Sequence, residues 1–123
     1  SFDAGFGTAY LARVVGEKRA REIWFFCDQY DAETAERWGL VNRVVEPDEL
    51  LPLAKEWGRK ACALSPTALK TLKHSFNADT DHIVGIQSLA FDVLDQFVKS
   101  DEAKEGGLAF NEKRAPDFSP YRT

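Results

Sequence analysis

Apolar residues recur along this chain mostly at helical spacing. Phe6, Tyr10, Leu11, Val14 and Val15 share one face of a helix expected over 6–15, which Gly16 ends. The next stretch, 17–27, begins with charge and finishes apolar (EKRAREIWFFC), with an acid first as a helix N-terminus prefers. Asp31 is placed to cap a short helix through Trp38, with Gly39 as its stop. Residues 40–45 (LVNRVV) hold the β-prone Leu40, Val41, Val44 and Val45; they are the one strand candidate, or else a short extended connector. A long amphipathic helix follows over 48–64, with Pro52 in its first turns. Ser65-Pro66 stops it and opens another helix through about Asn77, since proline fits the first helical position. The longest apolar-periodic stretch is 81–98, with Ile83, Ile86, Leu89, Ala90, Val93, Leu94 and Phe97 on one stripe. Ser100 or Asp101 caps a last helix through about Lys113, and the tail APDFSPYRT closes the chain. The pattern therefore predicts a mainly α chain of six or seven helices.

Composition changes this picture in two places. With 123 residues, 44% hydrophobic, nine Phe and three Trp, one core is within reach: size scaling gives about 6,600 Å² of folded surface. Trp24, Phe25, Phe26, Trp38 and Trp57 are read first as packing residues, with some of them facing a partner subunit. Methionine is absent altogether, and the chain opens with Ser-Phe-Asp, which points to a processed or truncated piece of something longer. The charge of −4 argues against a nucleic-acid or anionic-membrane surface, and no apolar run approaches the ~20 residues of a membrane span. Cys27 and Cys62 lie far apart without metal-ligand spacing, and neither His74 nor His82 has a second His or a Cys at that spacing. The expectation is no metal, no disulfide and a reducing, cytoplasmic compartment.

Two groups of residues could carry chemistry. Ser1 and Asp3, followed by Gly5 and Gly7, read either as helix-capping residues or as a hydroxyl and a carboxylate aimed into a site at a helix N-terminus. Lys70 with Lys73, and Lys113 with Arg114, read either as solvated cations or as groups for the phosphates of a ligand. Phe110 lies one helical turn before Lys113, so an aromatic face beside a cation could grip a nucleotide.

The opening run SFDAGFGTAYLARVVGEKRAREIWFFCDQYDAETAERWGLVNRVV resembles the crotonase (enoyl-CoA hydratase/isomerase) superfamily just past its central active-site helix. SFDAG, CDQYDA, SPTALKTLKHSFNAD and AFNEKRAPDFS resemble in particular its 1,4-dihydroxy-2-naphthoyl-CoA synthase (naphthoate synthase) branch. A sister branch, the 2-ketocyclohexanecarboxyl-CoA hydrolases, shares a helix like ARVVGEKRAREIW. The resemblance implies the mainly helical C-terminal half of a crotonase-type α/β spiral of ββα units. In it, 1–45 end the core and 46–123 form a helical region for oligomerisation and CoA contact. It implies an intramolecular Claisen (Dieckmann) condensation that closes o-succinylbenzoyl-CoA to a naphthoyl-CoA in menaquinone biosynthesis. Ser1 would contact substrate, Asp3 would serve proton transfer, and Lys113 with Phe110 would reach the CoA nucleotide of a neighbouring subunit.

The implied assembly is a homo-trimer or hexamer, and the implied ligand an acyl-CoA thioester. No tightly bound cofactor is implied, although bicarbonate can serve in the longer enzyme. The base and the oxyanion hole would belong upstream of Ser1, so this piece alone is expected to be inactive. One position departs from the pattern: ungapped alignment back from AFNEKR puts Val98 where the family has a catalytic tyrosine, and valine has no hydroxyl to donate. The departure keeps open another crotonase activity, hydrolase-like or hydratase-like. A different class altogether, a helical interaction module without chemistry of its own, also remains.

Overall fold

The computed structural model describes Asp3 and residues 5–122, and it is helical throughout its regular parts. The chain runs α1 (Phe6–Val15), α2 (Glu17–Phe26), α3 (Ala32–Arg37), α4 (Leu50–Cys62), α5 (Pro66–Ala78), α6 (Asp81–Val84), α7 (Gln87–Val98) and α8 (Asp101–Glu112), then a 3-10 turn over Ser119–Tyr121. The caps anticipated from sequence form. Asp31 accepts from Thr34 N at 2.8 Å, Ser65 Oγ from Ala68 N at 3.3 Å, and Ser100 Oγ from Ala103 N at 3.2 Å.

Two sequence expectations fail for local reasons. Residues 40–45 form no strand, because their donors are already taken by the end of α3. Leu40 N and Val41 N both donate to Ala35 O, at 2.9 and 3.4 Å, and Val44 N donates to the Glu36 carboxylate at 3.2 Å. No strand occurs among the described residues to pair with the segment, so β propensity has nothing to act on and the connector reading applies. The 81–98 stretch is two helices, not one. Ile86 N closes a short turn onto Ile83 O at 3.1 Å, and the chain restarts at Gln87 after Gly85, whose lack of a side chain makes it a weak helix former.

Packing is concentrated at the two ends of the chain. α1 lies on α2, α6 touches α1, and α7 pairs with α8. Among the described residues the buried apolar set is Val15, Ala20, Ile83, Ala90 and Ala109, mostly small side chains. Between these ends, the α4–α5 arm is bare: from Leu50 to Ala78 every residue except the half-buried Leu53 is exposed. Trp57, Leu72 and Phe76 are 45%, 54% and 77% exposed, so the described residues cover Trp57 only in part. Phe25 and Phe26 are exposed as well. The accessible surface is 9982 Å², against roughly 6,600 Å² for a closed domain of this mass. Amphipathic helices with their apolar stripes turned outward account for the excess.

Both cysteines are exposed, so neither is the small core residue that a lone cysteine usually is. No helix among the described residues is long and apolar enough to cross a membrane.

Candidate functional site

Asp3 sits at the mouth of α1. Gly5, with φ at 109°, takes the left-handed turn that starts the helix, and Asp3 reaches past it to the first free N–H groups. Its Oδ2 accepts from Gly5 N at 2.9 Å and from Thr8 N at 2.8 Å, and its Oδ1 from Gly7 N at 3.0 Å. Gly7 permits this closeness, since a Cβ there would lie 3.2 Å from Asp3 Oδ1 and 3.4 Å from Trp24 Cζ2. Partial burial pushes the carboxyl up. The N–H groups of Thr8, Gly7 and Gly5, with the Thr8 hydroxyl, outweigh that and hold it below the ordinary aspartate value. Asp3 is thus an ionised helix cap. Ser1, its sequence partner in the candidate pair, lies outside the described residues.

Beside this cap, α1 and α2 enclose an open groove of about 340 Å³. Thr8, Ala9 and Ala12 line it from α1, and Ala20, Trp24 and Phe25 from α2, with the ion-paired Glu17 and Arg21.

The second candidate group is at the far end of the chain, where α8 stops. Arg114 N donates to Ala109 O at 3.0 Å and Lys113 N to Phe110 O at 3.2 Å, the paired bonds of a Schellman motif. Such a motif wants glycine at the position Lys113 occupies, because the backbone there is left-handed (φ 56°, ψ 36°). For a residue with a Cβ that conformation costs roughly 1–2 kcal/mol. Pro116 follows shortly, as is common after this kind of stop. Among the described residues nothing pairs with the Lys113 ammonium, and Phe110 is 82% exposed.

Val98 ends α7 and is 54% exposed. Two hydroxyls considered in its place are engaged elsewhere. Ser100 Oγ donates to Phe97 O at 2.6 Å while accepting from Ala103 N. Tyr30 donates to Glu22 at 3.4 Å and leans on the Trp38 ring. Lys70 and Lys73 are exposed on α5. Among the described residues no group of three or more His, Cys, Asp or Glu side chains could hold a metal.

The residues the sequence missed are Glu105 and Asp117. Glu105, only 18% exposed at its side chain, holds Arg114 through both carboxylate oxygens, at 2.6 and 2.8 Å. Its Oε1 also accepts from Asp117 N at 2.8 Å. The nine-residue separation of Glu105 and Arg114 hid the pair, because only a chain folding back on its helix brings them together.

Comparison with known proteins adds the following. The family described as enoyl-CoA hydratase/isomerase matches residues 1–120. An enoyl-CoA hydratase/isomerase from Pseudoalteromonas atlantica superposes with a TM-score of 0.81 at 27% identity, over 93% of this chain and 46% of that one. The carnitinyl-CoA hydratase of Mycobacterium avium gives 0.76 at 27% identity, over 93% and 45%. The enoyl-CoA hydratase of Bacillus anthracis gives 0.53 at 28% identity, over 93% and 44%. The chain therefore spans somewhat under half the length of each solved structure named.

Proposed function

The chain belongs to the enoyl-CoA hydratase/isomerase family, the crotonases, and from that premise we propose that it is the C-terminal half of an enzyme acting on acyl-CoA thioesters. The observation that carries this reading is the end of α8. A lysine held in a left-handed backbone conformation, its ammonium unpaired among the described residues and an exposed phenylalanine one turn away, suits the phosphates and base of a CoA nucleotide. We take Lys113 and Phe110 as the substrate-binding residues at that end, and Ser1 and Asp3 as those nearest the acyl group. The exposed faces of α4, α5 and α7 are then surfaces for the rest of the fold and for neighbouring copies in a trimer or hexamer.

For the reaction, the SFDAG and AFNEKRAPDFS motifs favour an intramolecular Claisen condensation of o-succinylbenzoyl-CoA. Asp3 joins that chemistry as a fixed negative charge near the ring being closed. A carboxylate already accepting from three N–H groups is a poor shuttle at neutral pH, so its proton-transfer role is limited to orienting a donor. The start of α1 offers bicarbonate no cradle, since the N–H groups that could hold it are filled by Asp3. The general base accordingly belongs to a part of the enzyme beyond these residues. One observation favours a second reading, hydration of an enoyl-CoA or hydrolysis of a cyclic ketoacyl-CoA: Val98 cannot donate the hydrogen bond that the condensing branch takes from tyrosine.

The readings separate in one assay. The protein at its natural length is given o-succinylbenzoyl-CoA and crotonyl-CoA in parallel. Naphthoyl-CoA formation supports the condensation, and turnover of crotonyl-CoA alone supports hydration. A protein that converts neither but hydrolyses 2-ketocyclohexanecarboxyl-CoA, supplied as a third substrate, supports the hydrolase form of the second reading. No binding or turnover of any of the three refutes both readings.

A further inference from the structure

We infer that Glu105 and Arg114, with the Asp117 amide, form a latch that positions Lys113 for the nucleotide end of a CoA thioester. The inference rests on the reading of Lys113 under Proposed function and assigns the residues that make that lysine usable.

The latch is built from charge-assisted bonds of good geometry. Arg114 lays its two terminal nitrogens on the two oxygens of Glu105, at 2.6 and 2.8 Å, and its Nε on Glu112 at 2.6 Å. Asp117 N joins on Glu105 at 2.8 Å, and Asp117 Oδ1 in turn accepts from Ser119 N at 3.0 Å. Phe118 then lies over Gly106, where an added Cβ would meet its ring at 3.7 Å. The tail is therefore folded back along α8 and not trailing into solvent. An isolated exposed ion pair would contribute little, but a two-pronged guanidinium–carboxylate contact at a half-buried glutamate, reinforced by a backbone N–H, is the favourable exception.

Two consequences reach Lys113. Its chain neighbours on both sides, Glu112 and Arg114, are joined by the same guanidinium, so the left-handed turn between them is clamped and the direction of the lysine Cβ is fixed. Fixing a long, flexible side chain at its root lowers the ordering cost of binding a ligand. The guanidinium also occupies the carboxylates of Glu105 and of Glu112, the residue before Lys113, so neither is free to take the ammonium. Lys113 is left with its charge available for a phosphate. Glu105 and Arg114 are positioning residues, since neither needs to touch the ligand.

The test compares CoA with pantetheine, which shares the thiol arm but lacks the nucleotide, by calorimetric titration of the protein at its natural length. Three variants are needed: Glu105→Gln, which keeps size and an acceptor for Asp117 N; Lys113→Ala; and the two combined. The latch predicts that each single change weakens CoA about tenfold, the size expected for removing one charge-assisted hydrogen bond. Pantetheine affinity should move less than twofold, and the double variant should be no weaker than Lys113→Ala, the non-additivity expected of residues acting as a unit. If Lys113→Ala weakens CoA and Glu105→Gln does not, the latch is wrong and the lysine reading stands. If Lys113→Ala leaves CoA binding unchanged, the lysine reading falls and takes the latch with it. If Glu105→Gln weakens CoA and pantetheine alike, the residue serves the fold in general and the positioning role is overturned.

Discussion

The carboxylate of Asp3 has almost no lone pair left for a substrate, because three backbone N–H groups and the Thr8 hydroxyl converge on it. Capping and chemistry make different demands on the side chain, and substitution separates them. Asparagine caps a helix about as well as aspartate, whereas alanine loses about 1 kcal/mol at such a position. Asp3→Asn, which keeps one of the two accepting oxygens, should therefore lower the melting temperature less than Asp3→Ala does. If the charge matters to turnover, Asp3→Asn alone should cut kcat at least tenfold; equal activity of wild type and Asp3→Asn reduces the residue to a cap. At this scale the sequence was half legible. The pairing of an acid with Gly5 and Gly7 announced a helix start, and the lysine beside Phe110 announced a cation near an aromatic ring. That Lys113 takes the place of a glycine could not be read, since nothing local distinguishes it from an ordinary last-turn lysine.

Elements were legible wherever their start was written into the chain. Asp31, Ser65 and Ser100 each cap the helix that follows them, because a short polar side chain three residues ahead of a free N–H suffices. The failures came where a distant or competing partner decides. Val44 and Val45 look like strand residues, yet the carboxylate of Glu36 and the carbonyl of Ala35 draw the segment onto α3. The latch on α8 belongs to the same class, as its glutamate and arginine meet only once the tail turns back. It has a pH signature. The Arg114 guanidinium and then the Asp117 N–H pull the Glu105 carboxyl down from its ordinary 4.5 to about 2. A group depressed on folding stabilises above its unfolded value and ceases to do so as pH falls through its folded one. The latch is thus expected to be complete above about pH 4.5 and to open towards pH 2. Carbon-detected NMR of the Glu105 carboxyl, followed together with the Asp117 amide, should show both moving near pH 2; a midpoint near 4.5 would mean that no latch holds the tail.

At the scale of the whole molecule, helices alone do not make a closed body. A surface of 9982 Å², with Phe25, Phe76, Leu89, Phe91 and Phe110 all well exposed, is what remains when amphipathic elements have no layer beneath them. Composition permitted a private core and could not reveal its absence, because the counts of apolar residues are the same whether their faces meet each other or a partner. The 123 residues alone should self-associate and bind a hydrophobic dye; a sharp two-state melt of a monomer would show that they close on themselves in solution. Family membership gives those open faces a context, and the end of α8 is where we propose that the nucleotide of a CoA thioester lands. Hydrogen exchange of the natural-length protein, with and without CoA, tests that connection most directly. CoA should slow exchange at the Lys113 and Arg114 amides of the α8 stop, whose bonds to Phe110 and Ala109 the ligand would brace. CoA that binds while leaving those amides unchanged would contradict the placement of its nucleotide there.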